Sequence, residues 1–127
     1  MKYYTSIEQS KKLLELGLDP NTADMEYLLH RDDGSTVLGS PFIKDDLAER
    51  GEERVFDYLP CWSVGALIDA MPMIKYKDYP KEYPILRHWD GYQFDTYAHA
   101  TQYYDNLIEA AYEMVIWLLK NNYIKKK

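Results

Sequence analysis

Residues 107–120 read Leu-Ile-Glu-Ala-Ala-Tyr-Glu-Met-Val-Ile-Trp-Leu-Leu-Lys, and no other stretch restricts the fold as much. Projected at about 100° per residue, Leu107, Ile108, Ala110, Ala111, Met114, Val115, Trp117, Leu118 and Leu119 cover most of the helix circumference. Only Glu109, Glu113 and Lys120 form a narrow polar strip. One sheet cannot cover such a helix. It must either lie at the centre, between a sheet and the other helices, or turn part of its face to a second copy of the chain; central packing is the expectation. Asn106 and Glu109 have capping-box spacing at its start, and Asn121-Asn122 ends it.

The other elements follow from their punctuation. Ser6 and Gln9 have capping-box spacing before a helix running to Leu16, and Gly17 stops it. Met25–Arg31 and Thr36–Phe42 read as strands reversed at Asp33-Gly34, the second weakened towards an edge position by Gly39 and Pro41. Lys44–Arg54 is a charged run, read as a solvated helical turn or loop. Phe56–Leu67 reads as a structural knot: Pro60 fixes the backbone, Trp62 anchors it, and Ser63 caps a helix that Pro72 ends, with Val64, Leu67, Ile68 and Met71 on one side. The two Tyr-Pro steps between 75 and 84 exclude helix. Asp90-Gly91 predicts a two-residue hairpin turn pairing Trp89 with Tyr92, Arg87 with Phe94 and Ile85 with Thr96 on a buried face. The expectation is therefore a single α+β domain over 1–127. Its order is helix, hairpin, helix, hairpin, helix, with one small antiparallel sheet and helices packed on one of its faces.

Composition narrows the function classes. The formal charge of −6 opposes general affinity for phosphate backbones, and one cysteine can form no internal disulfide. The start of the chain lacks a signal-peptide pattern and nowhere are there eighteen consecutive apolar residues. A cytoplasmic protein with no membrane association is expected. Thirteen tyrosines stand against three phenylalanines, which favours surfaces apolar in body and wet at the tip.

No reaction is spelled out. Cys61 sits among Leu59, Pro60 and Trp62, so packing explains it better than nucleophilic chemistry. His30, His88 and His99 with nearby aspartates have no metal-ligand spacing, and no metal or cofactor is assigned. Glu109 and Glu113 read as the solvent strip of the final helix. Residues 75–83 alternate lysine and tyrosine like a stacking surface for nucleic acid, but Asp78 and Glu82 dilute the charge, and a loop pinned by its tyrosines is preferred. The segment after the first helix carries no Lys or Arg and makes no recognition helix, and no phosphate-binding glycine loop or Gly-x-Ser-x-Gly is present.

Taken together, Tyr3–Leu18, Thr22–Met25, Leu59–Leu67 and Ile108–Leu119 resemble a family of small uncharacterised proteins from gut Bacteroidales genomes and their phages or integrated elements. That resemblance implies an accessory protein of a mobile element and carries over no activity, cofactor or catalytic residue. The reading is a non-catalytic protein-interaction module whose contact residues are Tyr76, Tyr79, Tyr83 and Trp117, meeting an unidentified protein or a second copy as a homodimer. Two alternatives accompany it: a small enzyme or ligand binder with Cys61, His88 and Asp95 in a cleft, and a weak nucleic-acid binder using 75–83 and the Lys125-Lys126-Lys127 run.

Overall fold

The computed structural model describes residues 2–40, 49, 51 and 55–127. Most of the charged run at 44–54, and the last two residues of the expected strand Thr36–Phe42, lie outside them. The fold is α+β, with helix α1 (Ile7–Glu15), strands β1 (Met25–His30), β2 (Thr36–Gly39) and β3 (Phe56–Cys61), helix α2 (Val64–Ala70), strands β4 (Ile85–His88) and β5 (Tyr92–Asp95), and helix α3 (Leu107–Lys120).

Two separate antiparallel sheets stand where one was expected: β2-β1-β3, and the two-stranded β4-β5. The third strand of the first sheet is the segment read as a knot. It is disguised by Asp57 and Pro60, yet β3 is an edge strand, where a proline's missing N–H is tolerated; Pro60 pairs with Glu26. Pairing Tyr27 with Leu59 and Leu38, and Met25 with Cys61, places these side chains on one face, which packs on Ile7 and Leu14 of α1. Residues 3–5 extend the β3 edge: Thr5 N–H donates to Trp62 O at 2.9 Å and Val64 N–H to Tyr3 O at 2.9 Å.

Local chemistry sets the helix ends. Ser6 Oγ accepts from Gln9 N–H at 3.1 Å while Gln9 Oε1 accepts from Ser6 N–H at 2.9 Å, completing the expected box. Ser63 Oγ accepts from Ala66 N–H at 3.1 Å and is oriented by Asp24, which also accepts from Ser63 N–H at 2.9 Å. Asn106 stands before α3 but makes no side-chain cap bond. Glu109 is occupied instead by Gln9, whose Nε2 donates to it at 2.9 Å and ties α1 to α3. The polar strip of α3 is thus partly a seam between elements.

Helix α3 is the central element. Ile108, Ala110, Ala111, Met114, Val115, Leu118 and Leu119 are buried, against α2 and β5 and in one cluster with Leu13, Trp62, Leu67, Ile74 and Phe94. Helix α2 is rotated from its expected orientation: Ala66, Leu67 and Met71 face the core, whereas Ile68 is exposed.

Candidate functional site

Among the described residues, Trp89 at the tip of the second hairpin is the most exposed large hydrophobic side chain. The register of this hairpin is Ile85 with Asp95, Leu86 with Phe94, Arg87 with Gln93 and His88 with Tyr92, one residue away from the expected pairing. A one-residue slip exchanges the faces of a strand. Phe94 is buried and Tyr92 half-buried on one face, and Trp89, expected inside, is 84% exposed at the tip. Gly91 explains the slip: a Cβ there would come within 2.8 Å of Tyr104 O, because the chain returns at 100–104 to pair with β5.

That return decides which backbone groups of β4 are left over. Tyr92 exchanges both bonds with Tyr104, at 2.7 and 2.9 Å, and Phe94 uses its N–H and C=O on Thr101. Antiparallel ladders alternate, so Gln93 and Asp95 point towards β4 and are met there by Arg87 and Ile85. Leu86 and His88 therefore direct their N–H and C=O to the outer edge, which no strand covers among the described residues. All of β4 is exposed, with Ile85 at 50%. Arg87 is held by its own chain, its Nε donating to Asp95 Oδ2 at 2.8 Å.

The tyrosine loop lies beside this hairpin and is closed at its base by Ile74 and Glu82, with N–H to O distances of 2.6 and 3.0 Å. Glu82 Oε1 accepts from Tyr76 Oη at 3.0 Å and from Tyr97 N–H at 2.6 Å, and the Tyr79 and Tyr97 rings lie 4.1 Å apart. Tyr79 and Tyr83 are exposed as expected contact residues would be; Tyr76 is half-buried in this cluster. Trp117 is half-buried too, stacked between His99 at 4.8 Å and Tyr123 at 5.3 Å. Sequence reasoning put Ile85 and Trp89 on a buried face, and the observed register turns both outward.

Cys61, His88 and Asp95 are not brought together. Cys61 is fully buried on the first sheet, where its Sγ donates to Thr5 O at 3.4 Å and burial pushes its pKa up, the reverse of an activated thiolate. His88 stacks on Tyr92 at 4.3 Å on one face of the second hairpin. Asp95 lies on the opposite face, three residues from Tyr92 along β5. Among the described residues, no three His, Cys, Asp or Glu are grouped to hold a metal ion, and no helix is long and apolar enough to cross a membrane. The lysines at 125–127 are held against the end of α1 by a bond of 2.9 Å from Lys127 N–H to Gly17 O.

Fold and surface together define an α+β fold of three helices and two small antiparallel sheets, with an aromatic hairpin at its surface. No family model, no curated protein and no solved structure matches the chain.

Proposed function

We propose that the chain is a non-catalytic interaction module, an accessory protein of a mobile element, and that its contact surface is the outer edge of β4 with Trp89. The observation that carries the reading is the unpaired edge at Leu86 and His88 beside the exposed Ile85 and Trp89. Unpaired strand edges are templates for strand addition.

The occupant that this edge fits is a second copy of itself. An antiparallel pair with its two-fold axis at Arg87 matches Leu86 with His88 of the second copy, so all four outward N–H and C=O groups of each strand find partners. Ile85 then faces Trp89 of the second copy, covering the exposed apolar side chains of both hairpins. Arg87 meets its own equivalent across the axis, but each is neutralised by its own Asp95 and has Trp89 of the other copy diagonally beside it, a cation–π arrangement. So short an edge buries less than the roughly 1,200 Å² of stable interfaces, so association on the order of 100 µM is expected.

Sedimentation velocity tests this over roughly 10 µM to 1 mM, a range bracketing that affinity. Wild type should pass from monomer to dimer. Leu86→Pro should remain monomeric and folded, because the lost N–H points outward and the β4-β5 ladder does not use it. A wild type that stays monomeric throughout would remove the second copy as occupant. Dimerisation unchanged in Leu86→Pro and in Trp89→Ala would place the contact elsewhere.

A further inference from the structure

A cleft of about 720 Å³ lies where the end of α1, the turn at Pro20–Thr22 and the end of α2 meet residues 123–127. Leu18, Ala70, Pro72, Tyr123 and Ile124 give it an apolar lining, and Lys125, Lys126 and Lys127 stand along its rim with Asp19 and Thr22. Its volume falls in the roughly 300–1,000 Å³ range of small-molecule sites.

The wall formed by residues 123–127 is a built strap. Asn122 takes φ of 62°, which turns the chain back so that Tyr123 N–H bonds Leu118 O at 2.9 Å, and the Tyr123 ring stacks on Trp117. Lys126 lays its stem across Gly17, where a Cβ would come within 2.9 Å of Lys126 Cβ, and Lys127 N–H closes the strap on Gly17 O. Gly17 has φ of +98° as well, so both its conformation and its missing side chain are used here.

The polar groups sort themselves by what they already hold. Thr22 Oγ1 donates to Asp19 O at 2.6 Å and accepts from Trp62 Nε1 at 2.9 Å. Asp19 Oδ1 accepts from Asn21 N–H at 2.9 Å and pairs with Lys127 Nζ at 3.5 Å, so the one acid of the cleft is neutralised. Neither Lys125 nor Lys126 has a carboxylate partner among the described residues. Lys125 and Lys126 thus line the cleft as exposed cations without a carboxylate partner among the described residues, in a chain of net charge −6.

We infer that this cleft binds an amphipathic anion, with a carboxylate or equivalent monoanionic head between Lys125 and Lys126 and an apolar acyl or aryl body against Leu18, Ala70 and Ile124. The head answers the local charge, and the body extends the half-buried surface of Ala70 and Ile124 beside the buried Leu18. This site is independent of the β4 edge.

Decanoate is the probe, with acetate supplying the charge alone and octyl glucoside, below its micelle concentration, the apolar body alone. Calorimetric titration and amide chemical shifts of the full chain are read together. Saturable decanoate binding with shifts at Leu18, Ala70 and Ile124, and far weaker binding of both controls, is the expected result. Lys125→Glu with Lys126→Glu should weaken it by about tenfold or more. Ala70→Trp should abolish it by filling the cleft, and Lys125→Glu alone, which leaves the Gly17 packing intact, should show an intermediate loss. Leu86→Pro should bind as wild type does. No saturable decanoate binding, equal affinity for octyl glucoside, or binding that survives Ala70→Trp in a folded variant would each overturn the assignment.

Discussion

Cys61 shows what a residue's neighbours reveal and what they hide. Leu59, Pro60 and Trp62 announce an apolar setting, and the thiol is indeed fully buried. Hidden from the sequence is the polar knot around Thr5. Its Oγ1 lies 2.8 Å from Ser10 Oγ and accepts from Trp62 N–H at 3.1 Å, while its carbonyl accepts from Tyr27 Oη at 2.7 Å. These partners lie up to 57 positions apart, so no spacing rule could group them. With burial and a raised pKa acting together, Cys61 should resist a thiol reagent such as Ellman's at pH 8. We expect a rate at least about a hundredfold below that of the chain in guanidinium, the factor an opening free energy of about 3 kcal/mol supplies. Rapid modification of the native protein would contradict this packing. His99 makes a similar point: its Nε2 is buried without a hydrogen-bond partner among the described residues while its ring stacks on Trp117. His99→Phe keeps the stack and removes the unsatisfied nitrogen, so it should leave stability equal or higher by about 1 kcal/mol in urea unfolding.

At the scale of elements, the helices and the two hairpin pairings were legible, whereas the third partner of the first sheet and the register of the second hairpin were not. Caps are local: Ser6 with Gln9, and Ser63 before its apolar run, can be read within four positions and are found as expected. Asn106 has the right spacing but no side-chain cap bond: the Glu109 N–H goes to the Asn106 carbonyl at 3.2 Å, and the Glu109 carboxylate is held by Gln9. Asp90-Gly91 likewise reads as a two-residue turn when seen alone. The glycine is in fact required by the approach of Tyr104, and the register moves by one residue to allow it. Gly91→Ala should therefore break the pairing of Tyr92 with Tyr104 and cost about 1–3 kcal/mol in denaturant unfolding. Gly34→Ala is the instructive control: a Cβ there meets nothing within 4 Å, so its cost comes from φ of +72° alone and should be nearer 1 kcal/mol.

For the whole molecule, α3 is the helix that α2 and β5 cover, while the first sheet packs on α1 in a cluster of its own. The α3 glutamates face neighbours instead of water. Hydrogen bonding to Glu113, with burial behind it, pushes the Tyr104 phenol from 10.0 up to about 12, and burial raises Tyr27, Tyr76 and Tyr112 as well. A raised folded-state pKa means that the neutral phenol is favoured on folding. The contribution is complete below pH 10 and is lost as the pH climbs from about 10 to about 12. Thermal unfolding should accordingly fall steeply across that window, and Tyr104→Phe should make the fall shallower. An unchanged slope in the variant would show that Tyr104 does not contribute to it.

The sequence by itself determined the α+β class, the position and ends of the helices, the reversal at Asp33-Gly34 and the central place of the last helix. Each is set by hydrophobic periodicity, capping chemistry or glycine, which act over a few residues. Only the tertiary structure decided that β3 joins the first sheet, that the two hairpins belong to separate sheets, and that Trp89 faces solvent while Trp117 is sandwiched between two rings. It likewise decided that residues 123–127 close over a cleft at Gly17. Each of those depends on which distant backbone groups compete for the same partner, and that competition is settled only when the chain is packed.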